Sequence, residues 1–461
     1  MNHALHAKLK NDPRLARVLK GGLSGFAGKA TAVVVNAVSL PITVRYLGRE
    51  QYGFWVTIST TVMMLAVLDL GIANTLTNCI SRAYAERSEE MAKRYYATAF
   101  WATCAIAALL GFIGALVWPH IDWGKLFGVS DAAIATQAGK CAAISFGYAL
   151  LALPLGLANK VMGGYQRVPV ANAFAMLNSL LSLIAIIFVV QIHGTVVCLM
   201  VAYCTAMLTG TILLNLWMAL RHEPRIRPIP RRVHLGAARE IMGNGMLFFI
   251  LQIAGLAVFN TDNLMIAHFL GAEQVTPYAV TWRLVGYASV LQTLLVPSLW
   301  PAFSEAYVNH DLVWIRKAYH RIMRATLLTV IPTVVFLGFA GHWIIGVWAG
   351  KAAVPSSLLL WGMCFWTVLL SITVNQGALL AATQHLQLQT IYSSLAAVVN
   401  LILSIILVQH VGVTGVLLAT IISYLLFIIV PATWQVRQIL HGRYLRAISV
   451  RGKQEIQADV I

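Results

Sequence analysis

The chain has 461 residues, of which 59% are hydrophobic and 11% charged, against about 25% charged in an ordinary soluble domain. A single buried core stops growing at roughly 250 to 300 residues, so a chain this long and this apolar is excluded from the soluble globular class and must use lipid as solvent for much of its surface. Lysine and arginine exceed aspartate and glutamate by 33 to 16, a formal net charge of +17. Where those charges sit, rather than their sum, decides between a membrane, nucleic acid and an acidic substrate.

In chain order, the N-terminal stretch carries Lys8, Lys10, Arg14, Arg17 and Lys20. The apolar run after it is too long for a signal-peptide core and reads as an uncleaved first span. A hydrocarbon core of about 30 Å needs about 20 helical residues, and twelve runs meet that length. The first six are Gly22 to Tyr46, Gly53 to Asn78, Tyr95 to Trp118, Ala138 to Lys160, Val170 to Ile192 and Val196 to Leu220. A basic, proline-rich connection, Arg221 to Glu240, separates them from Ile241 to His268, Ala279 to Ala302, Ala325 to Ala349, Ser356 to Ala381, Thr390 to Gln409 and Gly415 to Gln435. Continuous runs of this length are helices; barrel strands alternate over about ten residues. The expected fold is all-α, a polytopic membrane protein. Residues 1–220 form one six-helix bundle, 221–240 a cytoplasmic linker, 241–437 a second bundle and 438–461 a cytoplasmic tail.

Sorting the basic residues by side places 27 of the 33, counting Lys29 near the start of the first span, with the tails and alternate connections. Only Arg45, Arg49, Lys125, Lys140, Arg283 and Lys351 fall on the other side or in the outer halves of spans. By the positive-inside rule the richer side is cytoplasmic and both termini lie there. Charge dispersed over short loops also argues against nucleic acid as a partner. The six cysteines lie in apolar stretches without metal-ligand spacing and read as small apolar helix residues.

The segment Arg45-Tyr-Leu-Gly-Arg-Glu-Gln51 recurs as His268-Phe-Leu-Gly-Ala-Glu-Gln274. Tyr165-Gln166-Arg167 matches Thr383-Gln384-His385, and Gln191-Ile-His-Gly194 matches Gln409-His-Val-Gly412. Two halves of six spans each make parallel repeats about an axis along the membrane normal, an architecture of transporters.

Ionisable side chains inside a span are costly and face a cavity or a partner. About the first outer turn, Lys29 and Asp69 lie at equal depth; about the second, so do Asp262 and Arg283. The repeat maps Lys29 and Asp69 onto Gln252 and Gln292, and Asp262 and Arg283 onto Ser39 and Thr60. Each pair is therefore either part of a polar cavity or a helix–helix clamp. Arg45, at the outer end of the first span, either contacts an anion at the cavity mouth or snorkels to lipid headgroups. Pro41, Pro154, Pro297, Pro301 and Pro332 are expected to kink spans. Gly28-Lys29 lacks the rest of a nucleotide-binding loop. With no soluble segment above about 35 residues for a nucleotide-binding or transferase domain, no cofactor is expected. The energy source is then an ion gradient (proton or sodium), the membrane potential or the substrate gradient.

With the string Tyr46-Leu-Gly-x-x-x-Tyr52-Gly-x-Trp55 followed by Leu68-Asp69-Leu-Gly71, the sequence resembles the Wzx-type polysaccharide flippases of the multidrug/oligosaccharidyl-lipid/polysaccharide (MOP) exporter superfamily. The second copy departs from the pattern, with Val275-Thr-Pro277 where the first has Tyr52-Gly-Phe54. The resemblance implies two six-helix bundles in the inverted V of multidrug and toxin extrusion (MATE) transporters. It also implies movement of an undecaprenyl-pyrophosphate-linked oligosaccharide across the bacterial inner membrane for O-antigen, exopolysaccharide or capsule synthesis. A polysaccharide polymerase and a chain-length regulator would be partners, beside membrane lipids. For an anionic head group the basic residues Arg283, Lys29 and Arg45 are the expected contacts. Asp69 and Asp262 would orient them or bind a coupling cation. The competing readings are a drug/cation antiporter of the same fold, which needs a net acidic site, a lipid II flippase, and a membrane-embedded polymerase or glycosyltransferase.

Overall fold

A computed structural model describes residues 13–65, 69–222, 226–242, 261–290, 310–382 and 386–441, with isolated positions between 249 and 307. All regular elements among the described residues are helical. The chain divides into two compact units, Met1–Leu256 with Ile266–Thr276, and Ala257–Met265 with Pro277–Ile461.

The first unit opens with α1 (Pro13–Leu65), 53 residues that carry the first expected span and the start of the second. They are separated at Gly48, whose backbone (φ 73°, ψ −174°) leaves the helical region for one that only glycine occupies without strain. There follow α2 (Ile72–Ala85), α3 (Glu89–Val117), the short α4 (Trp123–Leu126), α5 (Ala132–Leu155), α6 (Leu157–Gly164), α7 (Val168–Gln191) and α8 (Val196–Trp217). Their starts are set by polar caps at the edges of the apolar runs. Ser88 Oγ accepts from Met91 N at 3.4 Å, Asp122 Oδ1 from Lys125 N at 3.1 Å and Thr195 Oγ1 from Cys198 N at 3.4 Å. Each satisfies an amide that a helix start leaves open.

The second unit contains α9 (Thr261–Leu270) up to Met265, then α10 (Val275–Gly286) from Pro277 on, α11 (Leu312–Trp348), α12 (Ser357–Ala382), α13 (Leu386–Val411), α14 (Val413–Tyr424) and α15 (Val430–Leu440). The turn of the α9–α10 hairpin belongs to the first unit. Nine helices are long and apolar enough to cross a membrane among the described residues. One of them, Ser24–Thr61, continues past Gly48, so the first two expected spans are joined there. Much of the two expected spans Ile241 to His268 and Ala279 to Ala302 lies outside the described residues, as do Pro297, Pro301, Thr383-Gln384-His385 and the tail beyond residue 441.

Lipid offers no hydrophobic drive between helices, so close packing of small residues holds them together. At Gly210 on α8 an added Cβ would lie 2.0 Å from Asn178 Oδ1 of α7, and at Gly338 on α11 it would lie 2.5 Å from the Trp361 ring of α12. Of the expected proline kinks, Pro154 sits beside a real break, where α5 gives way to α6 at Gly156. Pro41 and Pro332 lie inside continuous helices. A wide π-helical turn at Leu425–Ile429 leads into Pro431, which has no N–H to give to a carbonyl one turn earlier.

Candidate functional site: buried polar groups in each bundle

In the first unit the helical path breaks before α2, where Leu70 (φ 54°) and Gly71 (φ 74°) both take left-handed backbone. The break leaves open amides at the start of α2, and Asp69 fills them. Its Oδ1 accepts from Gly71 N at 2.9 Å and its Oδ2 from Ala73 N at 3.1 Å. The cation whose field reaches Asp69 is Lys160 on α6, whose Nζ donates to Asn74 Oδ1 at 3.0 Å. The expected Lys29–Asp69 pairing is therefore corrected. Asp69 is turned into the helix start it caps, and Lys29 is exposed on α1. Equal depth along two helices fixes neither rotation nor the break that redirects the carboxylate. Lys160, counted in the sequence as a topology charge, is half-buried and is the cation whose field reaches Asp69. The signal was its position at the end of an apolar run, six residues after Pro154.

In the second unit Asp262 is buried on α9 and Tyr278 on α10 donates its hydroxyl to Asp262 Oδ2. Asp262 Oδ1 and the neighbouring Asn263 Oδ1 are buried with no hydrogen-bond partner among the described residues. The expected Asp262–Arg283 pair is not formed among the described residues. The tight contact with Tyr278 centres the hairpin near residue 270, which leaves Arg283 five residues, about 7.5 Å of helix, beyond the level of the carboxylate. Arg283 is half-buried. Arg45 is exposed one turn before Gly48, the placement expected of a side chain reaching for the interface.

Gln292, which the repeat aligns with Asp69, stands in a neutral polar seam of the second unit. Its Nε2 donates to Ser371 O at 2.5 Å and to Asn375 Oδ1 at 3.1 Å, and Asn375 Nδ2 donates to Thr326 Oγ1 at 3.0 Å. Gln376 Nε2 reaches Thr433 Oγ1 at 2.8 Å, and the amide of the fully buried Gln435 has no partner among the described residues. Gln252 Nε2 is likewise buried and unpartnered. The repeat positions Ser39 and Thr60 instead bond to carbonyls of their own helix. Polar groups therefore do sit inside both bundles, acidic and basic in the first, acidic and amide-rich in the second.

The two hairpin turns show what the repeated Leu-Gly-x-Glu-Gln motif does. Gly271 takes φ 93°, ψ 153°, close to the glycine-only backbone of Gly48. The turn 266–276 is seated on the first unit by Arg49, which donates from Nε to Glu273 O (3.0 Å) and from Nη2 to Gln274 Oε1 (3.1 Å). Thr276 Oγ1 donates to Arg49 O at 2.5 Å, and Ala272 N to Gly128 O at 2.8 Å. An added Cβ at Gly53 would fall 1.7 Å from Ala272 O, so only glycine allows this approach. Glu50 anchors the neighbouring connection, accepting from Ser130 N and Asp131 N at 2.6 and 3.1 Å.

Apolar helices of this length with polar groups held among them define a multi-pass membrane protein, and solved structures agree on the fold. An inward-facing multidrug-resistance transporter of the MATE family in the MOP superfamily superposes with a TM-score of 0.75 at 15% identity, covering 90% of this chain and 95% of that one. A MOP-superfamily transporter from Pyrococcus furiosus, titled for the reverse polarity of its binding pocket, gives 0.66 at 16% identity over 92% and 96%. The family model described as "Polysaccharide biosynthesis protein" matches residues 18–307, and the chain belongs to that family. Two relatives are a Salmonella typhi protein named "Putative O-antigen transporter", 22% identical over 70% of this chain and 72% of its own length, and a Haloferax volcanii protein named "Probable low-salt glycan biosynthesis flippase Agl15". The latter is 23% identical over 45% of this chain and 42% of its own.

Proposed function

We propose that this protein is a flippase carrying an undecaprenyl-pyrophosphate-linked oligosaccharide from the cytoplasmic to the outer leaflet of the inner membrane, for O-antigen, exopolysaccharide or capsule assembly. The observation that carries the reading is the family match over residues 18–307; the names of the two relatives support it. The work is transport by alternating access, and no side chain is assigned a catalytic role. The pyrophosphate needs cationic groups to neutralise it. Arg283, Lys29 and Arg45 are assigned to it, joined by Lys160, which Asn74 holds half-buried beside Asp69. Asp69, whose carboxylate caps α2, fixes the backbone beside Lys160, and Asp262 is assigned to a coupling proton or sodium ion. A polymerase and a chain-length regulator are the expected protein partners, and both termini are assigned to the cytoplasm.

The test is initial-rate flipping of a labelled lipid-linked oligosaccharide in proteoliposomes. A charge-assisted hydrogen bond is worth about 1.5 to 3 kcal/mol, so Arg283→Ala and Lys29→Ala should each slow flipping by about tenfold or more. If both variants flip at the wild-type rate, the head-group assignment fails. If the wild-type protein leaves the lipid-linked sugar in place but exports a cationic dye against a proton gradient, the antiporter reading replaces the flippase.

A further inference from the structure

The connection between the halves is not a free loop. Residues 226–242 are strapped along α3 in the first unit. Pro228 O accepts from Trp101 Nε1 at 3.0 Å, and His234 N donates to Thr98 Oγ1 at 3.1 Å. Glu240 closes the strap, pairing with Arg82 Nη2 at 2.7 Å and accepting from Tyr95 OH at 2.5 Å. Ile226, Ala237 and Ile241 are buried against the bundle core with Leu76, Tyr96 and Met218.

The depth of the strap follows from α3. Arg94 is the last charged residue before its apolar stretch, and Leu109, Phe112 and Leu116 further along are exposed, as lipid-facing residues are. Thr98 and Trp101 lie four and seven residues past Arg94, about 6 and 10 Å along the helix. The strap thus reaches the boundary between headgroups and acyl chains, where interfacial segments rest and where tryptophan collects. Its outward surface fits that place. Ile229, Val233 and Leu235 are 39%, 47% and 88% exposed, and the 3-10 turn Pro230–Arg232 sets Arg231 and Arg232 among them.

Charge identifies the partner. Residues 226–239 contain four arginines and no acid. The nearby acids are engaged: Glu240 with Arg82 and Tyr95, and Glu89 and Glu90 with Lys93 at 3.6 and 3.3 Å. Arg227 donates to Ala219 O, and Arg232 lies within electrostatic reach of Glu90. Arg231 is exposed on the outer side of the turn. We propose that the 226–240 strap is an interfacial binding surface for anionic phospholipid, with Ile229, Val233 and Leu235 among the acyl chains and Arg231 and Arg232 on the lipid phosphates. The arrangement combines the two attractions that hold interfacial segments, apolar burial and basic charge against anionic lipid.

The test uses the full chain in nanodiscs of phosphatidylcholine containing phosphatidylglycerol, with no lipid-linked sugar present. Lipid retained after extraction is counted by native mass spectrometry. Wild type should retain phosphatidylglycerol in preference to phosphatidylcholine. Each arginine near an anionic surface contributes about a fivefold preference, so R231Q/R232Q should lose about 25-fold in retention. R231K/R232K should keep most of it and controls for folding, while Arg321→Gln, a single basic-side arginine outside the strap, should cost no more than about fivefold. Equal retention by wild type and R231Q/R232Q, or no preference for phosphatidylglycerol in wild type, overturns the proposal. Retention of an anionic lipid only when undecaprenyl pyrophosphate is supplied also overturns it, by making the strap a substrate contact.

Discussion

Asp262 shows how far a single residue can be read without its neighbours. An aspartate inside an apolar run announces a site, and the structure does bury it. Its partner is a tyrosine, a residue type that carries no charge to attract notice in an apolar stretch. The Tyr278 hydroxyl serves Oδ2, while Oδ1 has no partner among the described residues. Removing that hydroxyl strips the carboxyl of its one bond at constant ring volume, and a buried acceptor left unsatisfied costs about 1 to 3 kcal/mol. Tyr278→Phe should therefore lower the thermal unfolding midpoint in detergent by several degrees. Asp262→Asn/Tyr278→Phe, which also removes the acidic group, should recover part of the loss. Additive losses in that double-mutant comparison would mean that the two side chains act separately.

At the scale of elements, the apolar runs were legible because their length alone demands a span. Breaks were less so. Gly48 looked like a turn and does break the helical path between two helices, Pro154 marks a further interruption, and Pro41 and Pro332 mark none. Proline is tolerated where neighbouring groups satisfy the freed carbonyl, and those neighbours are tertiary. The linker was legible as basic but not as docked, because its anchors are a backbone carbonyl, a backbone amide and Glu240. Bonds from Tyr95 and then Arg82 hold the Glu240 carboxyl below its ordinary value of 4.5, against the opposing effect of burial. A carboxyl whose folded value is depressed adds stability above the unfolded value, and that stability is lost as pH falls through the folded one. The strap should thus be fully docked at neutral pH and loosen below about pH 4.5. Hydrogen exchange of residues 226–242, corrected for intrinsic rates, should rise between pH 6 and pH 3.5 in wild type. It should already be raised at pH 6 in Glu240→Gln, which lacks the charge. Exchange in this segment that is equally slow in both proteins at pH 6 would assign the docking to Trp101 and Thr98 alone.

For the molecule as a whole, the internal repeat was the most transferable message in the sequence. It located two hairpin turns whose glycines share a backbone conformation that other residues avoid. What it could not convey is that the second turn is seated in the first unit, because Arg49 has no counterpart in the second copy, where Ala272 stands. Residues on both sides of the seated turn, up to Met265 and from Pro277, belong to the second unit. Under the proposed alternating access, in which the two halves of a transporter move relative to each other, the turn either leaves its seat during the cycle or flexes at its two junctions. The seat consists of a few hydrogen bonds around Arg49 and a glycine-lined approach, about 0.5 to 1.5 kcal/mol net for each neutral bond. Bonds of that size break and re-form readily, which under that proposal favours unseating. Arg49→Cys and Gln274→Cys joined by a short bis-maleimide, with the exposed Cys198 replaced by serine, should therefore stop flipping in proteoliposomes. The unlinked double variant should keep flipping. A linked protein that flips at the unlinked rate would place the motion at the junctions near Met265 and Pro277 and leave the turn seated throughout.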